Sequence, residues 1–255
     1  MENEFIFVLH YYFMALPFFY SDTITTTATT FILNEETSKH VVQVLRMQNG
    51  QALRLTNGLG YLFEATITDN NRKHCTVKIT AAQYIATPNN AISIAISLLK
   101  NTHRFEWLVE KVTELGVQQI LPIICDRTEK TSFKMDRINN IAISAMLQSQ
   151  QTWLPIITMP QKVKQVIDTP DYTNKFIAHC EADITKNPLP KLLANINNNS
   201  NNNHIILIGP EGDFTVPEIE YAVLKKYQTV SLGNTRLRTE TAGLAAAIML
   251  TQFRL

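Results

Sequence analysis

Two polar segments near the C-terminus have the residue types and spacing to hold a ligand: HIILIGPEGDFTVPEIEYAV at 204–223 and VSLGNTRLRTETAGLAAAIML at 230–250. In the first, an apolar strand runs into Gly209, Pro210, Glu211, Gly212 and Asp213 just ahead of a helix. Ligands of open parallel sheets collect at such strand ends. A dinucleotide fingerprint needs G-x-G-x-x-G, and a phosphate loop needs Gly-Lys-Ser/Thr. Neither is present, and no lysine stands between Lys191 and Lys225. Acidic residues in the turn disfavour phosphates and leave room for a neutral or cationic ligand. Thr215 and Glu218 form a capping-box pattern with Pro217 in the first helical turn, which occupies amides an anion would need. The glycines alone have a purely conformational explanation, since tight turns use glycine. The second segment, with Ser231, Leu232, Gly233 and then Arg238, Thr239, Glu240 and Thr241, changes the balance. Polar groups that become buried need partners, so two polar loops at adjacent strand ends make a candidate site.

The elements that carry these loops alternate. From residue 91 onward, AISIAISLL, QILPII, KFIAHC, HIILIG and TVSLG read as strands. Between them, RFEWLVEKVTELG, DRINNIAISAMLQSQ, TVPEIEYAVLKKY and TETAGLAAAIMLTQF read as helices. Phe105, Leu108, Val109, Val112 and Leu115 share one helical face, as do Ile138, Ile141, Ala142 and Ala145. Strands alternating with helices imply a mostly parallel sheet covered on both faces. Residues 17–83 keep a different rhythm. Phe63, Ala65 and Ile67, and then Cys75, Val77, Ile79 and Ala81, repeat with period 2. Turns fall at 48–50, 57–58 and 69–71, and one helix, EETSKHVVQVLRM, is expected to bury Val41, Val44 and Leu45. Short strands, tight turns and one helix suggest a small β-barrel. The expected organisation is an N-terminal extension at 1–13, a β-barrel at 14–84, a linker at 85–91 and an α/β domain at 92–255. The polar run 195–203 reads as a surface loop.

Bulk properties set outer bounds. With 255 residues, 45% hydrophobic and 18% charged, the chain can bury a core of one large or two ordinary domains. The net charge of +1 announces no nucleic-acid partner and excludes none, because binding needs only a local basic face. Cys75, Cys125 and Cys180 form no CxxC pair, so no metal site is expected and a reducing cytoplasm suits them. The apolar stretch in the first twenty residues starts with Glu2 and Glu4 and is interrupted by His10 and Pro17. It reads neither as a secretory signal nor as a membrane span. Met14 is the expected start.

LIGPEGDFTVPEIE followed by SLGNTRLRTETAGLAA resembles the C-terminal motifs of the ribosomal RNA small subunit methyltransferase E family, within the SPOUT superfamily. HVVQVLRMQNGQ is similar to the His-x-x-x-Val-Leu-Arg segment of that family's PUA-like barrel. EKVTELGVQQILPI is similar to its Lys-x-x-Glu-Leu-Gly helix and the following strand. The resemblance runs from about residue 14 to the end of the chain. It implies S-adenosyl-L-methionine as cofactor and methylation of N3 of a uridine in 16S rRNA, with an assembled small ribosomal subunit as partner. It also implies a homodimer and a SPOUT α/β domain with a trefoil knot, beside a PUA-like β-barrel. The small residues at 242–247 suit the close helix contact of such a dimer. Departures occur at Leu147 and Gln151, where relatives commonly carry charge, and around Arg127.

The resemblance places the cofactor against Leu207, Ile208, Gly209, Pro210, Glu211, Gly212, Ser231, Leu232, Gly233, Leu237, Arg238, Thr239, Thr241 and Ala242. A sulfonium cofactor without phosphate fits an acidic glycine turn. N3 methylation needs proton removal, stabilisation of the uracil anion and alignment. Arg238 is the expected anion holder, with a phosphate contact or an ion pair to Glu240 as alternatives. Glu240 and Glu211 are candidate bases. Arg46, Arg54, Lys100, Arg104 and Arg127, with Lys130 and Lys134, are the expected RNA contacts. Trp153 is a candidate for stacking a base, and Trp107 is assigned to the core. Two other readings stand beside this one: a SPOUT methyltransferase for tRNA or 23S rRNA, and a non-catalytic RNA-binding protein of the same fold.

Overall fold

The computed structural model describes residues 16–87, 90–170, 172–196 and 202–253. The expected extension at 1–13 and residues 197–201 of the polar run lie outside the described residues. The chain divides into two compact units, Met1–Ala86 and Thr87–Leu255.

The first unit is a curled sheet of five strands in the order β1-β3-β4-β5-β2. These are β1 (Phe18–Tyr20), β2 (Thr30–Ile32), β3 (Ala52–Thr56), β4 (Tyr61–Asp69) and β5 (Thr76–Tyr84). β1 joins β3 in parallel and the other pairings are antiparallel. Leu53, Leu55, Phe63, Ala65, Ile67 and Val77 fill the core. The alternation expected for β5 fails at Ala81. Glu64 pairs with Ala81 but Ala65 pairs with Ile79, so Thr80 is bulged out and Ala81 is carried to the exposed face.

The helix of this unit also departs from its expected face. It begins as α1 (Glu35–Lys39), capped by the Asn34 side chain, and continues as a π-helix over His40–Val44. The Leu45 amide reaches back five residues to the His40 carbonyl. That wider turn keeps Val41 buried but swings Val44 and Leu45 outward, to 69% and 42% exposure.

The second unit is an eight-stranded parallel sheet in the order β11-β13-β10-β12-β6-β7-β8, with β9 also on β7. Its long strands are β6 (Ala91–Ser97), β7 (Gln119–Ile124), β10 (Asn174–Ala178), β12 (Asn203–Ile208) and β13 (Gln228–Ser231). β8 (Ile156–Ile157), β9 (Gln161–Lys162) and β11 (Asn187–Pro188) are two-residue additions that periodicity does not reveal. On one face lie α2 (Thr102–Glu114), α3 (Met135–Gln148), α5 (Leu189–Leu193) and α7 (Thr239–Gln252), packed on Ile92, Ile94, Ile96, Phe176, Ile206 and Ile208. On the other lie α4 (Val163–Ile167) and α6 (Val216–Leu224), packed on Ala95, Leu121, Ile177, Ile205 and Leu207. Both faces of each central strand are apolar because both are covered.

One expectation about packing is corrected here. Trp107 is 41% exposed on α2, so it is not a core residue. In the small-residue run at 242–247, Gly243, Ala246 and Ala247 are buried inside this chain's own core. A Cβ on Gly243 would lie 2.8 Å from Ile96 and 3.1 Å from Leu108, so glycine is what lets α7 settle onto β6 and α2.

Candidate functional site

β12 inserts between β10 and β6, and β13 passes to the far side of β10. Ile208, Ala178 and Val230 therefore sit side by side at the carboxyl ends of three adjacent strands. The loops that leave them meet the start of α7 around a cavity of about 650 Å³. Eleven of the sequence-predicted cofactor residues line it: Ile208, Gly209, Pro210, Glu211, Ser231, Leu232, Gly233, Leu237, Arg238, Thr239 and Ala242. Three do not. Leu207 points to the opposite face of the sheet, into the core under α6. Thr241 is exposed on the outer side of α7. Gly212 lies under the Arg127 side chain, whose carbons a Cβ there would meet at 3.4 Å.

The first loop is braced from three sides. Asp213, with φ +64, closes a turn by donating its amide to the Pro210 carbonyl at 2.9 Å. Its carboxylate accepts from the Cys180 amide at 2.6 Å and from the Phe214 amide at 2.8 Å. Arg127 Nη1 donates to the Gly212 carbonyl at 2.8 Å. Glu211 accepts from the Lys100 amide at 3.3 Å. Behind the loop, Gly209 is pressed on Phe214, whose ring and amide a Cβ would meet at 3.0 and 3.1 Å. The Glu218 carboxylate accepts from the Thr215 amide at 2.8 Å and the Asp126 amide at 2.9 Å, fixing the start of α6. The acidity of the turn is thus largely structural: Asp213 and Glu218 are engaged by amides, and the exposed Glu211 accepts through Oε1.

A second, smaller cavity of about 480 Å³ adjoins through Glu211, which lines both. Lys100, Arg104 and Lys130 surround it. Lys100 is ion-paired with Glu129 at 2.8 Å, which holds its ammonium above the ordinary range. Arg104 Nε lies 3.5 Å from Oε1 of Glu240. Glu240 is only 7% exposed, its Oε2 has no hydrogen-bond partner, and it lines neither cavity. The predicted RNA residues are therefore not one cluster. Lys100 and Arg104 gather at the smaller cavity, while Arg127 braces the loop at 209–214. Arg46, with φ +55, and Arg54, 3.7 Å from Glu64, belong to the first unit. Gln151 donates to the Thr113 and Glu114 carbonyls at 2.9 and 3.0 Å and so finishes the end of α2.

Sequence reasoning missed the third wall. His179, Cys180 and Lys186 follow β10 and line the larger cavity, as do Asp213, Asn234, Thr235 and Arg236. His179 is 7% exposed, and neither ring nitrogen has a hydrogen-bond partner among the described residues. Burial first, and then the Lys186 ammonium, hold its imidazole below the usual range against the pull of Asp213 and Glu181. The available signal was an apolar strand, KFIA, that ends in a histidine.

Comparison with known proteins places these features. An RNA methyltransferase domain family matches residues 87–251, and an RNA methyltransferase PUA domain family matches residues 33–80. Ribosomal RNA small subunit methyltransferase E of Mesomycoplasma hyopneumoniae is 30% identical over 220 residues, 84% of this chain and 90% of that protein. A solved structure described as a probable rRNA-methyltransferase from Porphyromonas gingivalis has a TM-score of 0.85 and 37% identity, covering 94% of this chain and 98% of that one. Ribosomal RNA small subunit methyltransferase E from Neisseria gonorrhoeae, solved bound to S-adenosyl methionine, has a TM-score of 0.80 and 26% identity over 93% and 98% of the two chains.

Proposed function

From the premise that the chain belongs to the ribosomal RNA small subunit methyltransferase E family, we propose that it methylates N3 of a specific uridine in 16S rRNA with S-adenosylmethionine. The observation that carries this reading is the pair of adjoining cavities that share Glu211. One is large enough for a nucleoside-sized ligand and ends on a buried histidine without partners. The other is ringed by cations suited to an RNA backbone. When bound, S-adenosylmethionine supplies a methyl group made electrophilic by its sulfonium.

The residues divide the remaining work. Gly209, Pro210, Leu232, Gly233 and Leu237 offer backbone groups and apolar surface for the adenosine. Lys100, Arg104 and Lys130 hold phosphates beside the smaller cavity and orient the uridine. Glu211, bordering both cavities, is the carboxylate best placed to accept the N3 proton. Arg238 stabilises the negative charge that proton loss leaves on the uracil oxygens. Glu240, buried beside Arg104, acts as a positioning residue for that guanidinium. The same reading includes a cytoplasmic homodimer acting on an assembled small subunit, with RNA contacts from Arg46 and Arg54 of the first unit.

Nucleoside mass spectrometry of 16S rRNA from a deletion strain tests the reaction. The expected result is loss of 3-methyluridine, restored by the intact gene. Unchanged 3-methyluridine in the deletion strain would overturn the assignment.

A further inference from the structure

The loop that follows β10 has no role in the division of labour given above, yet it forms one wall of the larger cavity. It holds the most conspicuous unmet hydrogen-bonding capacity there. Neutral imidazole carries one N–H donor and one acceptor. Both nitrogens of His179 are buried at 7% residue exposure without a protein partner. Leaving such groups unmet is costly, so a buried pair of them marks a place where a ligand supplies partners.

Lys186 lies at the other end of the same loop and lines the same cavity. Its ammonium donates to the Glu181 carbonyl, which ties the two ends of the loop together. The charge of Lys186 is felt at the His179 ring. The carboxylates of Asp213 and Glu181 oppose it in charge, but their hydrogen-bonding capacity is already engaged. Both oxygens of Asp213 are taken by the Cys180 and Phe214 amides, and Glu181 accepts from the Ala182 amide at 3.0 Å. This wall therefore presents unspent donors, the imidazole N–H and the Lys186 ammonium, beside carboxylate oxygens already engaged by amides, an arrangement that suits the acceptor oxygens of a carboxylate.

We propose that His179 and Lys186 form the subsite for the carboxylate at the amino-acid end of the cofactor. This inference rests on the cofactor reading above and extends it to a wall of the cavity that neither glycine loop supplies. It also fixes an orientation. The carboxylate points toward the end of β10, and the nucleoside lies toward the loops after β12 and β13.

Calorimetry on the full-length protein tests it with two probes. S-adenosylhomocysteine carries the amino-acid end, and 5′-methylthioadenosine keeps adenine, ribose and sulfur but lacks that end. His179→Ala and Lys186→Met should each weaken S-adenosylhomocysteine by roughly tenfold or more, the scale of one lost charge-assisted hydrogen bond. Binding of 5′-methylthioadenosine should change by less than about twofold, which also reports that the variants are folded. His179→Gln keeps an N–H donor and should recover part of the loss; it carries the comparison if His179→Ala does not fold. Equal losses for both probes would overturn the proposal by placing His179 on the nucleoside, and undiminished S-adenosylhomocysteine binding would overturn it outright. If the unsubstituted protein bound neither probe, the cofactor reading itself would fail, and this subsite with it.

Discussion

The two loops of the larger cavity are built in opposite ways. The loop at 209–214 is held by Asp213, Arg127, Glu211 and the Phe214 ring, with contacts reaching β10, β7 and the start of α2. Among the described residues, no side chain from Leu232 to Arg238 has a hydrogen bond or ion pair in the structure, and Gly233 through Arg236 are exposed. Both face the same space, but one is complete without a ligand and the other is not. A wall that is already braced keeps its shape at no further ordering cost, which favours constant, tight binding. A wall with free guanidiniums and hydroxyls has its partners still to come. On the function proposed above, the first loop suits the cofactor, while the second shares the adenosine through its backbone and apolar residues and leaves its polar side chains for the RNA-side chemistry.

The most severe test of that division is Arg238→Ala. Removing a group that stabilises developing negative charge costs about 10² to 10³ in turnover. Turnover on small-subunit rRNA at saturating donor should fall by roughly a hundredfold, while S-adenosylhomocysteine affinity by calorimetry stays within about twofold. A matching loss of affinity would mean that the Arg238 side chain itself holds the donor and that the second loop's polar side chains are not reserved for the RNA.

Asp213→Ala attacks the braced wall, with a smaller effect of the opposite kind. The variant loses the acceptor for the Cys180 and Phe214 amides and keeps a left-handed φ that alanine tolerates poorly. Stability in urea should fall by about 1–3 kcal/mol. Donor affinity should fall by roughly tenfold, while turnover at saturating donor is largely kept. Gly209→Ala should act on the same wall more mildly. Its Cβ would press on the Phe214 ring at 3.0 Å and the amide at 3.1 Å, so the loop must shift by a few tenths of an ångström. We expect a stability loss at the low end of the overpacking range, about 1 kcal/mol, read from the urea midpoint.

The contrast between the walls also explains what the sequence could and could not reveal. The glycine pair, the capping box and the Arg-Thr-Glu-Thr run are local signals, and the family resemblance that they carry placed eleven residues that line the cavity. The α/β rhythm was equally legible, because buried parallel strands are continuous apolar runs. What was not legible depended on pairing across the chain. Asp213 looks like cofactor-facing acid until its bond to Cys180, 33 residues away, is seen. Arg127, expected at the RNA, also donates to the Gly212 carbonyl, 85 residues away, a bond that no local run signals. His179 joined the site only because β10 lies between β12 and β13, an order that no run of residues encodes. In the first unit, the π-helical turn and the bulge at Thr80 moved Val44, Leu45 and Ala81 off the faces their periods assigned.

The smallest expected effect is a pH dependence that belongs to only one wall. Burial and Lys186 lower the His179 pKa below its ordinary 6.5 in the folded protein. Between 6.5 and that lower value, the unfolded chain binds a proton that the folded chain does not. Stability therefore falls as pH drops below about 6.5, while above it the contribution is constant. Carboxylates held low by their partners, such as Glu106 and Asp168, lose their own contributions only at more acid pH. Urea midpoints of the ligand-free protein measured from pH 8 to 5.5 should show this early decline. His179→Gln should flatten it, whereas Arg238→Ala should leave it intact, because a guanidinium stays charged throughout that range. If the decline survives in His179→Gln, the buried imidazole is not its source, and the wall after β10 is wetter than its unpartnered ring nitrogens imply.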